Sequence, residues 1–202
     1  MHSSSYCYSI FERGIHDYHI HDHVDTPIRN PYQDGSFEHL LYQKNWNDTV
    51  QWHLEDLIRD PNIDPTEALQ LKRRIDKANQ VRTDIVEKID DFFLETFRNT
   101  PLQPNARLNS ETPAWLLDRK SILLLKIYHM EEQVNRKDAD ARHIALCQAK
   151  LAVLTEQRED MRQCYDELMD DLKKGVRKMK VYRQMKMYND ASLNPILYGT
   201  KK

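Results

Sequence analysis

Apolar residues recur at alternating steps of three and four along two long stretches of this chain, and that spacing sets each group on one face of a helix. The first group is Ala68, Leu71, Ile75, Ala78, Ile85, Ile89 and Phe92; the second is Ile144, Cys147, Leu151, Leu154, Met161, Tyr165, Leu168 and Leu172. With only 4 Gly and 8 Pro in 202 residues, and 31 % of the chain charged, few positions suit tight turns between strands. All-β and Gly-rich nucleotide-binding folds are therefore disfavoured, and the length suits one helical domain over residues 1–202.

Start and stop signals divide the chain. Asp64-Pro65-Thr66-Glu67 offers a capping carboxylate, Pro at the first helical position and Glu three residues after the cap, so a helix is predicted from Pro65 to about Arg98. Thr112-Pro113 opens the next helix, which is apolar on most faces between Trp115 and Met130 and so is expected to be buried. A polar break at Asn135 to Asp138 precedes the helix that Gly175 stops. Upstream, a helix is predicted from Ser36 to about Arg59 and a short one over Tyr8 to Tyr18. Tight turns near residues 60 and 137 make chain neighbours antiparallel. The expected fold is all-α: an antiparallel four-helix bundle over 36–175, preceded by a short helix and a His-rich loop in 1–35 and followed by a basic tail over 176–202.

The net charge of −2 gives no overall field toward nucleic acid or membrane, yet it is unevenly spread. Residues 173–202 hold nine Lys and Arg against Asp190 alone, a segment charge of +8 that leaves −10 on the other 172 residues. Val181, Met185 and Tyr188 share a face, which predicts a basic amphipathic helix over Val176 to Tyr188. Such a tail could meet RNA or DNA, an anionic membrane surface, or the acidic body of this chain. Met1-His2-Ser3-Ser4-Ser5 has neither the basic start nor the apolar run of an export signal, and the longest aliphatic run is Ile122 to Leu125, so no transmembrane segment is expected. Three Cys without a C-x-x-C pair suit a reducing compartment, and the expected location is cytoplasmic.

Chemistry enters where the apolar seams break. Arg82 interrupts the seam of the 65–98 helix, Arg158 that of the helix that Gly175 stops, and the helix after Ser36 carries Lys44, Asn47 and Gln51 at mid-height. Antiparallel register sets Lys44 level with Arg82 and Asn47 level with Asn79, and across the second turn it sets Asp118 within a turn of Arg158. A buried guanidinium needs a carboxylate, water or an anion. Asp118 is the expected partner of Arg158, and Arg82 with Lys44, Asn47, Asp48 and Asn79 forms a candidate anion-binding floor; structural ion pairing of the same residues is the competing reading. His19, His21 and His23, at a period of two, are weak candidates for a divalent metal. The chain has no P-loop, G-x-G-x-x-G, G-x-S-x-G, H-E-x-x-H or Glu-x-x-His pattern, so no cofactor is expected.

The stretches Asn45 to Asp56, Leu108 to Pro113, Leu125 to Met130 and Lys180 to Asp190, together with Thr112-Pro113-Ala114-Trp115-Leu116-Leu117-Asp118-Arg119, resemble a domain-of-unknown-function family of bacterial all-helical proteins of about this length. The resemblance covers nearly the whole chain. It departs from the family pattern at Ala114, where Gly is usual, and at Lys120, where Leu is usual after Asp-Arg. Members are often encoded beside glycosyltransferases for lipopolysaccharide or other surface glycans, which implies a pathway and a glycosyltransferase partner but no catalytic residues. The expected function is a helical accessory or binding protein with a mid-bundle site for a partner or a phosphorylated sugar. The alternatives are an enzyme acting on a phosphorylated or nucleotide sugar, with Arg82 and Lys44 clamping the anion and Asp48 or Asp118 as base, or a binder of nucleic acid or membrane surfaces through the tail.

Overall fold

The computed structural model describes residues 2–187 and 190–199. Among them it is all-helical: α1 spans Ser4–His19, α2 Phe37–Leu57, α3 Pro65–Phe97, α4 Pro113–Val134, α5 Ala141–Lys173 and α6 Pro195–Tyr198. The four long helices begin at their caps, with the side chains of Ser36, Asp64, Thr112 and Asp140 each accepting from a first-turn backbone N–H. The first helix starts earlier than its apolar pattern predicts, because Ser3 caps it by accepting from Tyr6 N.

Packing departs from a core made by four helices alone. Helix α2 packs on α3 and α4 on α5, while α1 lies against α2, α4 and α5. Cys7, Phe11 and Tyr18 of α1 are fully buried with Leu41, Tyr42, Val86, Ile89, Leu117 and Tyr165. Gly14 makes this approach possible, since a Cβ there would lie 2.7 Å from Asn45 Oδ1 of α2. A smaller apolar cluster of Leu54, Leu71 and Ile75 closes the α2–α3 end.

The predicted amphipathic helix over Val176 to Tyr188 does not form. Residues 176–187 hold no helix and run back along the body, and Tyr188, Lys201 and Lys202 lie outside the described residues. Gly175, at φ 67°, turns the chain. Backbone bonds to the α3–α4 connection then replace helical ones: Arg107 N donates to Val176 O at 2.9 Å and Lys178 N to Arg107 O at 2.8 Å. Side chains follow, with Arg177 on Asp171 and Arg183 on Asp91, while Met185, expected on a buried face, is 90 % exposed. Gly175→Ala is expected to lower stability by about 1–2 kcal/mol through the left-handed backbone alone. Its Cβ would also meet the Pro101 carbonyl oxygen, so proteolysis within 176–187 should quicken. Thermal denaturation and timed protease digestion check both effects.

Candidate functional site

The mid-height polar residues of α2, α3 and α4 form one buried ion network. Lys44 is wholly buried, and its ammonium donates to Asp48, one turn along α2, and to Asp118 Oδ1 of α4 at 3.0 Å. Arg82 of α3 holds the same Asp118 in a two-pronged grip, Nε to Oδ1 at 2.7 Å and Nη2 to Oδ2. Ser121 Oγ donates to Asp48 Oδ2 at 2.6 Å, and Asn45 Nδ2 donates to Ser121 Oγ at 3.0 Å. Two cations thus face two carboxylates, a neutral balance that makes burial tolerable.

The two carboxyl groups are driven apart. Burial pushes Asp48 above the usual carboxylate range against the pull of Lys44. Burial pushes Asp118 the same way, but the Arg82 hydrogen bonds and the Lys44 charge outweigh it and hold Asp118 below that range.

Antiparallel register placed several partners well: Lys44 and Arg82 meet on Asp118, and Asn47 Nδ2 donates to Ala78 O at 3.1 Å, beside Asn79, which accepts from Gln51 at 3.0 Å. The expected Asp118–Arg158 pair is wrong. Arg158 lies at the α1–α5 surface, bonding Glu12 at 2.5 Å and covering the Tyr8 ring, because α1 packs beside α5 and supplies the nearer carboxylate. Arg158 is therefore no part of this site. Asn45 and Ser121 were missed, for a hydroxyl and an amide on apolar-rich helices read as neutral filler.

Above the network opens a cleft of about 360 Å3, lined by Asp48, Gln51, Trp52, Glu55, Arg59 and Arg82 among others. Among the described residues, Arg82 Nη1 makes no hydrogen bond, so that edge of the guanidinium is left for whatever fills the cleft.

A second cluster gathers histidines from three helices. One ring nitrogen from each of His19, His53 and His129 lies within 4.8 Å of the others. His21 and His23, the other two members of the sequence-based metal candidate, are exposed and stand apart from it; period-two spacing assumed an extended segment, whereas His19 is still helical. His53 and His129 fall inside the Asn45 to Asp56 and Leu125 to Met130 stretches, but nothing in one sequence says that they face each other. Burial, with His129 and His19 nearby, holds the His53 imidazole below its ordinary value despite Asp22.

A third buried cation was read as a departure from pattern and no more. Lys120 is 0 % exposed; its ammonium donates to Ser4 Oγ and sits 4.1 Å and 4.4 Å from the ring centres of Tyr8 and Tyr165.

Helices packed around a neutral buried ion network, with a polar cleft above it, define an all-helical protein built around an internal polar site. The chain belongs to DUF4254, a family described as proteins of unknown function, whose model matches residues 38–181. No curated protein and no solved structure matches it. Among the described residues, no helix is long and apolar enough to cross a membrane.

Proposed function

We propose that this chain is a cytoplasmic binding protein, an antiparallel helical bundle whose α2–α3–α4 cleft takes a phosphorylated or nucleotide sugar in surface-glycan assembly, the pathway its sequence resemblance implies. The observation that carries the reading is the lining of the cleft. Arg82, anchored by Asp118 and with Nη1 unbonded among the described residues, and Arg59, which bonds Glu55, both line the cleft, and guanidinium forks suit phosphate oxygens. Gln51, Asp48 and Glu55 can accept from sugar hydroxyls, and Trp52, whose ring stacks on His129, adds an apolar wall for a pyranose. The volume, about 360 Å3, fits a sugar phosphate.

Thermal denaturation across sugar phosphates, nucleotide sugars and polyprenyl phosphates tests this. At a ligand concentration of about 100 Kd the stabilisation is about 2.7 kcal/mol, which in a chain of this size raises the Tm by roughly 5–10 °C. Trp52→Ala and Arg59→Gln should abolish most of that shift. The reading fails if no ligand raises the Tm, or if both variants keep the full shift.

One feature favours catalysis on the same ligand. Asp48 lines the cleft with its carboxyl pushed up, while Asp118 does not line it and has both oxygens engaged, so Asp48 rather than Asp118 would serve as acid or base. Asp48→Asn would then keep binding and lose turnover.

A further inference from the structure

Three helices each deliver one imidazole to the histidine cluster. His19 ends α1, His53 lies in α2 and His129 in α4. The outer nitrogens of two rings are already committed. His19 Nδ1 is 2.6 Å from the Ile15 carbonyl oxygen, and His129 Nδ1 is 2.7 Å from Glu132 Oε2. Both oxygens only accept, so both Nδ1 atoms carry the proton and both Nε2 atoms present a bare lone pair. His129 Nε2 is buried and has no hydrogen-bond partner. His53 Nε2 stands 3.3 Å from His19 Nε2, and Asp22 Oδ1 stands 3.5 Å from the first and 4.0 Å from the second. Asp22 has φ 48°, the one positive value on a residue other than Gly among the described residues, and lies in the turn that leaves α1.

We propose that His19, His53, His129 and Asp22 bind a divalent transition metal of the zinc class. Protons alone cannot satisfy this arrangement: the single N–H that His53 Nε2 can supply serves one of the two bare lone pairs, and the other stays buried and unpaired. A cation at the centre serves all of them. With metal–nitrogen bonds of about 2.0–2.1 Å, ligand atoms at the corners of a tetrahedron lie about 3.3–3.4 Å apart. The His19–His53 separation already has that value; His129, within 4.8 Å of both, closes by at most about 1.4 Å, and Asp22 by about 0.2 Å toward His53 and about 0.7 Å toward His19. Three imidazoles and one carboxylate suit zinc and its neighbours, whereas calcium and magnesium favour oxygen. The Ile15 carbonyl and the Glu132 carboxylate are the outer partners that fix metal-binding histidines in the right tautomer. Tyr18 stacked on His53, Trp52 on His129 and Tyr128 against His19 wall the cluster, while Asp22, 58 % exposed in its side chain, leaves an entry from solvent.

This site does not depend on the sugar reading of the cleft. The test is a titration of untagged, chelator-treated full-length protein with Co2+, read by the visible bands of tetrahedral cobalt, then with Zn2+ in competition with a chromophoric chelator. One Co2+ per chain is expected, displaced by one Zn2+. His53→Ala should weaken binding by about 100-fold or more, and Glu132→Gln by about 10- to 100-fold. His21→Ala with His23→Ala should leave it unchanged. Absence of tetrahedral bands and of competition by the wild-type protein overturns the proposal, whatever the variants do. So does retention of binding in a His53→Ala protein whose circular dichroism matches wild type, or loss of binding in the His21, His23 variant.

Discussion

Replacing Asp118 by Ala is expected to cost about 3–5 kcal/mol of folding stability, because it takes a carboxylate from the buried Lys44 ammonium and both bonds from the half-buried Arg82. Lys44 has no exposed surface and keeps only Asp48, and Arg82 loses both prongs of its grip. At roughly 2–4 °C per kcal/mol for a chain of this size, the Tm should fall by about 6–20 °C. Arg158→Ala, by contrast, removes a surface pair with Glu12 and should change stability by less than about 1 kcal/mol. Urea denaturation of the two variants separates the pairing seen here from the pairing that register alone suggested, and equal losses would sink it. The pH dependence carries a sign as well. Asp118 is held below the usual range when folded, so its contribution is complete above the unfolded carboxylate value and fades as pH falls through the folded one. Asp48 is shifted upward and opposes folding as pH rises through its unfolded value toward its folded one. The Asp118→Ala penalty should therefore shrink in acid, where the wild type has lost the same interaction.

What could be read from sequence follows the range of the interaction. The caps at Ser36, Asp64 and Thr112 act within one turn, so the starts of α2 to α4 are local facts and agree with the structure. A short turn between consecutive helices fixes register, which is why Lys44 and Arg82 could be placed at one level. Register between helices distant in sequence is not fixed this way. Treating α1 as an appendage hid Glu12 from Arg158 and His19 from His53 and His129, since α1 packs against α2, α4 and α5. The tail failed for a different reason. Its apolar spacing is helical, but Gly175 aims it along the α3–α4 connection, where backbone groups of Arg107 compete successfully for its hydrogen bonds.

Lys120→Met is expected to raise stability at pH 7 by about 1–3 kcal/mol, an uncommon sign for a buried substitution. Among the described residues no carboxylate lies within ion-pair distance of this ammonium, and burial pushes its pKa down to about 8 from 10.5. That lowering corresponds to about 3 kcal/mol against the buried charge. Attraction to the Tyr8 and Tyr165 rings, on the order of 2 kcal/mol where desolvated, returns part of it. Below pH 8 the folded and unfolded chains both carry the proton and the penalty is complete. Between about 8 and 10.5 the unfolded chain binds the proton more tightly than the folded one, so wild-type stability rises with pH. Cys7, whose thiol burial pushes up to about 11, acts oppositely above pH 9, so the clean window is pH 8 to 9. Urea denaturation at pH 7, 8 and 9 should show a rise for wild type and a flat line for Lys120→Met. A variant less stable than wild type at every pH, or one with the same slope, would mean that the ammonium stays charged and satisfied by the two rings and Ser4. Side chains of α1 and α5 close this position off, as they would around an apolar residue. A Lys there keeps an ammonium against Ser4 and two phenol rings, at a stability cost that an apolar side chain would remove.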